Sequence, residues 1–171
     1  MIVVSDQDLF AEIRPYNDNE VAPAIARLIA DDEFIHAILH YRFPHLSGPF
    51  GWLLSPLVKW LLKRRWAKFN SVRSVQIQVA RFMDRMIDNT TTEITCSGIE
   101  HLHKDKAYLF VSNHRDIAMD PALVNWCLHH NGFDTVRIAI GDNLLRKPCA
   151  TELMKLNKSF IVKRGAKGPR E

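Results

Sequence analysis

Apolar positions recur at three- and four-residue intervals in the first half of the chain, then gather into short continuous or alternating runs in the second. That change of period predicts helices first and strands afterwards. Residues 18–42 read as helical: Asn17 or Asp18 can cap them, and Val21, Ile25, Leu28 and Ile29 share a face that Phe34, Ile35, Ile38 and Leu39 extend. Pro23 is expected in the first turn, where its missing N–H costs nothing. The Pro- and Gly-rich stretch FPHLSGPFG, residues 43–51, should break the helix. A second helix is expected after Pro56 (LVKWLLKRRWAKF) and a third over SVQIQVARFMDRMID, residues 74–88.

Past Thr90 the β-branched, alternating TTTEITCSGIE predicts a strand that turns at Gly98. AYLFVSN, residues 107–113, is a continuous apolar run of the kind expected for a strand buried on both faces. DPALVNWCLHHNG reads as a helix with Asp120 as N-cap, Pro121 at the first position and Gly132 past the end. TVRIAIG, residues 135–141, predicts another strand, residues 148–156 a helix, and KSFIVKR a final strand. The expected fold class is α/β: N-terminal helices, then a mixed, mostly parallel sheet with flanking helices. The organisation expected is a helical region over 1–89, with a basic membrane-docking segment at 44–70, and an α/β core over 90–171.

Length and composition narrow the function classes. A 171-residue chain with 47% hydrophobic and 25% charged residues has the makeup of a folded domain, not of a disordered one. Cys96, Cys127 and Cys149 are odd in number and contain no CxxC pair, which argues against a disulfide framework or structural zinc. No apolar run approaches the roughly 20 residues of a membrane-spanning helix. MIVVSDQDLF lacks a basic start, so no signal peptide is expected. The location expected is cytoplasmic, peripheral on the inner face of the membrane.

Charge adds an asymmetry that the net value of +4 conceals. Between Phe34 and Met83 there is no acidic residue, whereas Arg42, Lys59, Lys63, Arg64, Arg65, Lys68, Arg73 and Arg81 are all basic. The remainder holds fifteen basic residues against nineteen acidic ones. A concentrated basic zone of this kind attracts a polyanion or an anionic surface.

The chemistry gathers at the junction after AYLFVSN, where Asn113, His114, Arg115, Asp116 and Asp120 precede a helix. Open α/β sheets bind ligands where strands end and helices begin. A His in such a place has a near-neutral intrinsic pKa and a carboxylate in sequence range to orient its ring, the two requirements of a general base. The plainer alternative is an N-cap Asp beside a structural loop His.

SNHRDIAMDP, residues 112–121, resembles the first motif of the glycerol-phosphate and lysophosphatidate acyltransferase family, a His followed by an Asp. NKSFIVKRG, residues 157–165, is similar to that family's second motif, an apolar strand ending in Arg, and the two stand in the family's order about 45 residues apart. The resemblance implies transfer of a fatty acyl group from acyl-CoA or acyl-carrier protein to a hydroxyl of a glycerol phosphate or lysophospholipid, in phospholipid biosynthesis. His114 is the implied base, and Asp120 the implied relay. Five residues separate them where the family has four, so Asp116 stays open as the relay. Arg164 and Lys163, with Asn113 and Arg115 beside the His, are the implied substrate-binding residues. No metal or cofactor is implied. The family's third and fourth motifs are not found in GAKGPRE, so the sheet is expected to be incomplete at its C-terminal end. The alternative from another class is a non-catalytic lipid-surface or acyl-carrier binding module on the same scaffold.

The helix after Pro56 places Val58, Leu62, Trp66 and Phe69 on one face, with cations around it. Aromatic residues backed by Lys and Arg suit a helix lying in a membrane interface, and Trp60, Lys63, Arg64, Arg65 and Trp66 are the expected docking residues on an anionic surface. Leu57, Trp60 and Leu61 interrupt what would otherwise be its polar face. No nucleic-acid motif accompanies the patch, so no nucleic-acid partner is expected. His36 and His40 have a chelating i, i+4 spacing but no third ligand.

Overall fold

A computed structural model describes residues 8–45, 51–113 and 115–165. Among the described residues the order is α1 (Asp18–Ala30), α2 (Asp32–Arg42), α3 (Gly51–Trp66), α4 (Val72–Thr90), α5 (Met119–His130), β1 (Ile138–Gly141), α6 (Pro148–Leu156) and β2 (Ser159–Val162). Single 3-10 turns occupy Ile99–His101 and Asp142–Leu144. The fold is α/β: N-terminal helices precede an open sheet of two parallel strands, linked by α6 as the crossover. The chain divides into two compact units, Met1–Val75 with Ala139–Glu171, and Gln76–Ile138.

The first unit owes its core to helical periodicity. Val21, Ala24, Ile25 and Leu28 form the buried stripe of α1, at the three- and four-residue spacing that returns side chains to one face. The start of α1 is set by the Asn17 N–H donating to Glu20 Oε2 at 2.8 Å, half of a capping box. The expected single helix over 18–42 is broken at Asp31. Its backbone turns extended (φ −70°, ψ 116°) while its carboxylate accepts the N–H of Phe34 at 2.9 Å, so Asp31 ends one helix and caps the next. Pro23 sits inside α1 beyond its first turn, and α3 begins five residues before Pro56 and runs through it.

Leu54, Val58, Leu62 and Trp66, four residues apart along α3, pack on the cluster formed by α1 and α2. The Trp66 ring lies 6.0 Å from that of Phe34 and 6.4 Å from that of Phe69. Burying a large side chain such as Leu28, Ile35 or Leu39 contributes about 1.5–3 kcal/mol. Helix α6 closes the core with Cys149 and Leu156. Its Glu152 accepts hydrogen bonds from Tyr16 Oη (2.8 Å) and Arg27 Nε (2.7 Å), which bolts α6 to the N-terminal segment and to α1. Lys155 is buried beside it. Its ammonium donates to the Ala11 carbonyl (2.7 Å) and lies 4.6 Å from the Tyr16 ring centre, and burial holds its pKa below the usual lysine range. The Ile161 N–H of β2 donates to the Ile13 carbonyl at 2.8 Å, so the N-terminal segment runs along β2.

In the second unit α4 and α5 carry the buried residues Met83, Ile87 and Leu128. Asp84 Oδ1 accepts from Trp126 Nε1 and pairs with His130 Nε2, both at 2.8 Å. Gly132 adopts the left-handed conformation (φ 73°) just past α5, as its position after the helix predicted. Gly98 likewise turns with φ 85°. Neither segment ahead of α5 forms the expected strand. Residues 91–97 are irregular, and so is 107–113, where Leu109 is 89% and Val111 87% exposed. A strand is a pairing and not a property of one run of residues, and the described backbone supplies no neighbour for this one. Helix α5 also starts one residue before Asp120, with Ala118 in the cap position, so Asp120 stands in the first turn.

Candidate active site

The first motif folds around two carboxylates. Asp120 Oδ2 accepts the N–H groups of Arg115 (2.8 Å) and Asp116 (2.9 Å), folding the helix start back over the loop. Asp116 Oδ1 accepts the N–H groups of Ala118 (2.8 Å) and Met119 (2.7 Å) and so caps α5, the task that the sequence assigned to Asp120. The two acids thus do different work. Asp116 satisfies the free donors of the helix, and Asp120 grips the peptide unit that follows residue 114. Asn113 and Arg115 are exposed. His114 lies outside the described residues.

The second motif places its two cations differently. Lys163 Nζ pairs with Glu12 Oε2 at 3.0 Å. Arg164, one residue on, lies at the carboxyl end of β2, where its guanidinium packs against Gly141 at the matching end of β1. Its N–H donates to Asp142 Oδ1 at 3.4 Å. Among the described residues no carboxylate pairs with the Arg164 guanidinium, in contrast to Arg14, Arg27 and Lys163. A guanidinium exposed beyond the carboxyl ends of parallel strands has the geometry to bind a phosphate or carboxylate with two parallel hydrogen bonds. Nothing in the local pattern of residues singles out Gly141, which reads only as a strand end.

Two other clusters carry polar chemistry. Burial alone would raise the Asp84 carboxyl; the hydrogen bonds from Trp126 and His130, with the charges of His130 and His129, outweigh it and hold it below its ordinary range. Burial pushes the Cys127 thiol up to about 11, and its hydrogen bond with Cys96 adds to that, so it is a protonated and poor nucleophile at neutral pH. Among the described residues no group of three or more His, Cys, Asp and Glu is placed to hold a metal.

On α3 the two apolar faces part company. Trp66 points inward with Val58 and Leu62, so the face expected to meet a membrane belongs to the core. The outward face is the one that interrupted the polar pattern: Trp60 is 55% exposed, and Trp52, Leu53, Leu57 and Leu61 are exposed with it. Lys63, Arg64 and Arg65 are exposed around that face, with the Arg64 guanidinium 5.7 Å from the Trp60 ring centre. No described helix is long and apolar enough to cross a membrane.

Residues 93–171 match the acyltransferase family model. The matched span holds both motifs described above, from the loop before α5 to the end of β2. The match supports acyl transfer from a donor to an acceptor as the chemistry of the matched segment. No curated protein and no solved structure matches the chain.

Proposed function

We propose that the chain is a phospholipid-pathway acyltransferase that moves a fatty acyl group from an acyl-CoA or acyl-carrier-protein thioester to a hydroxyl of a glycerol phosphate or lysophospholipid. The observation that carries the reading is the acyltransferase match over both motifs, and the geometry at each motif suits the role given to it. His114 takes the proton of the acceptor hydroxyl as its oxygen attacks the thioester carbonyl. The tetrahedral intermediate then collapses, the C–S bond breaks, and the thiol leaves with the proton from the imidazolium. Asp120 holds the imidazole and balances its charge, as the Asp of a Ser-His-Asp triad does, with the acceptor hydroxyl in place of the serine. Its grip on the N–H of residue 115, the neighbour of His114 in sequence, supports that assignment over Asp116, whose bonds go to the N–H groups of Ala118 and Met119. Arg164 holds the acceptor phosphate. Lys163, paired with Glu12, is assigned a supporting part.

The outward face of α3 suits docking on an anionic membrane at the cytoplasmic side, with Trp52 and Trp60 entering the interface and Lys63, Arg64 and Arg65 meeting lipid phosphates. Such docking would bring a lysophospholipid acceptor, itself a membrane lipid, to the protein.

The test is thiol release from an acyl-CoA in the presence of lysophosphatidate. His114→Ala should lower turnover by about 10²–10⁴-fold with the fold intact, the usual contribution of a positioned base. Turnover unaffected by this change would refute the assignment. Vesicle binding without turnover in the unaltered protein would favour the non-catalytic binding module.

A further inference from the structure

The end of β1 contains a glycine whose backbone does not need one. Gly141 has φ −70° and ψ 139°, a conformation open to any residue. What it provides is space. A Cβ at this position would stand 2.8 Å from Arg164 Nε, 3.4 Å from Arg164 Cζ and 2.6 Å from Asn143 Oδ1. Two side chains, one from the turn after β1 and one from the end of β2, therefore converge on the volume that a side chain would fill. One of them is the guanidinium that has no carboxylate partner among the described residues.

We propose that Gly141 is a positioning residue for acceptor recognition: its missing side chain is the seat in which the Arg164 guanidinium lies at the carboxyl edge of the sheet. The inference rests on the reading of Arg164 as the phosphate-binding group and deepens it. An arginine with rotatable χ angles loses much of its bidentate selectivity unless its plane is held, and contact with the bare backbone of β1 holds it. The atoms that a methyl group would displace are side-chain ends and not backbone. Gly141→Ala should therefore move the guanidinium while leaving the sheet in place. That separates a positioning role from a structural one.

The experiment compares Gly141→Ala, Arg164→Ala and the double variant in the full chain, reading the affinity for glycerol 3-phosphate by titration calorimetry, with glycerol as the uncharged control. The acceptor KM and kcat are read in parallel. We expect Gly141→Ala to weaken glycerol 3-phosphate binding about tenfold, a fraction of what a charge-assisted pair provides. The acceptor KM should rise in proportion, with kcat and the melting temperature little changed. Arg164→Ala should weaken binding at least as much, and the double variant should bind no worse than Arg164→Ala, because no guanidinium is left to displace. Additive losses, or a Gly141→Ala protein that binds as the unaltered one does while Arg164→Ala is impaired, would overturn the positioning role and leave the phosphate role of Arg164 standing. An Arg164→Ala protein that binds glycerol 3-phosphate normally would remove that role and this inference with it. Should Gly141→Ala fold poorly, Gly141→Ala with Asn143→Ala relieves the tightest approach and still displaces the guanidinium, and the same outcomes apply.

Discussion

Asp120 and Asp116 stand four residues apart at one helix start, yet their substitution should have opposite consequences. In Asp120→Asn the amide oxygen still accepts from the N–H groups of Arg115 and Asp116, which the carboxylate now binds at 2.8 and 2.9 Å. Changing charged bonds to neutral ones costs about 1 kcal/mol of loop restraint in this exposed setting. What the variant lacks is the negative charge that the proposed mechanism uses to orient His114 and stabilise its protonated form. Loss of that function in a His-based relay lowers turnover by up to about 10⁴-fold, or about 5.5 kcal/mol of barrier. Asp116→Ala instead removes the acceptor for the N–H groups of Ala118 and Met119. That is the loss of a helix cap, about 1 kcal/mol and roughly 2–4 °C in melting temperature for a chain of this size. Turnover should stay within about fivefold, since a change below 1 kcal/mol in the barrier is no larger than that. The assay is thiol release at saturating donor and acceptor, with a thermal melt of each variant. A stable Asp120→Asn protein that keeps more than a tenth of its turnover, beside an inactive Asp116→Ala, would refute this division of labour and make Asp116 the relay.

Three further outcomes follow from particular contacts. Trp60→Ala, or Arg64→Glu with Arg65→Glu, should reduce co-sedimentation with anionic vesicles while leaving the melting temperature nearly unchanged, because these side chains face outward. Trp66→Ala should do the reverse, destabilising the fold by about 2–3 kcal/mol through lost packing against Phe34 and Phe69, since the ring is only partly buried. Vesicle binding that is indifferent to Trp60, Arg64 and Arg65 would dismiss the outward face as the docking surface. Asp84 has a folded-state pKa below its unfolded one, so the unfolded chain binds the extra proton in the window between the two. Its stabilisation is complete above the unfolded carboxylate pKa and lost as pH falls through the folded value. Asp84→Asn should accordingly melt lower than the unaltered protein at pH 7, by a small margin because solvent screens this partly exposed carboxylate, and the gap should close under strongly acidic conditions. A gap that persists unchanged at low pH would show that the carboxylate charge plays no part.

The amino-acid sequence alone determined the features that depend on neighbours three or four residues away. The buried stripe of α1, the Asn17 start, Gly132 beyond α5 and the full extent of α6 follow from periodicity and capping chemistry, which act within a turn or two of backbone. The two motifs were legible for the same reason, as short strings with their own spacing. Tertiary structure decided whatever required a partner. Helix α3 has apolar residues on both sides, and only the presence of Phe34 and the α1 stripe chose Trp66 for the interior and Trp60 for the surface. The run at 107–113 has the composition of a buried strand, but a ladder needs a second backbone. Residues 163 and 164 look equivalent as cations until Glu12 takes one and Gly141 receives the other. Pairing over such distances depends on where the chain returns in space, and no local pattern of side chains encodes that.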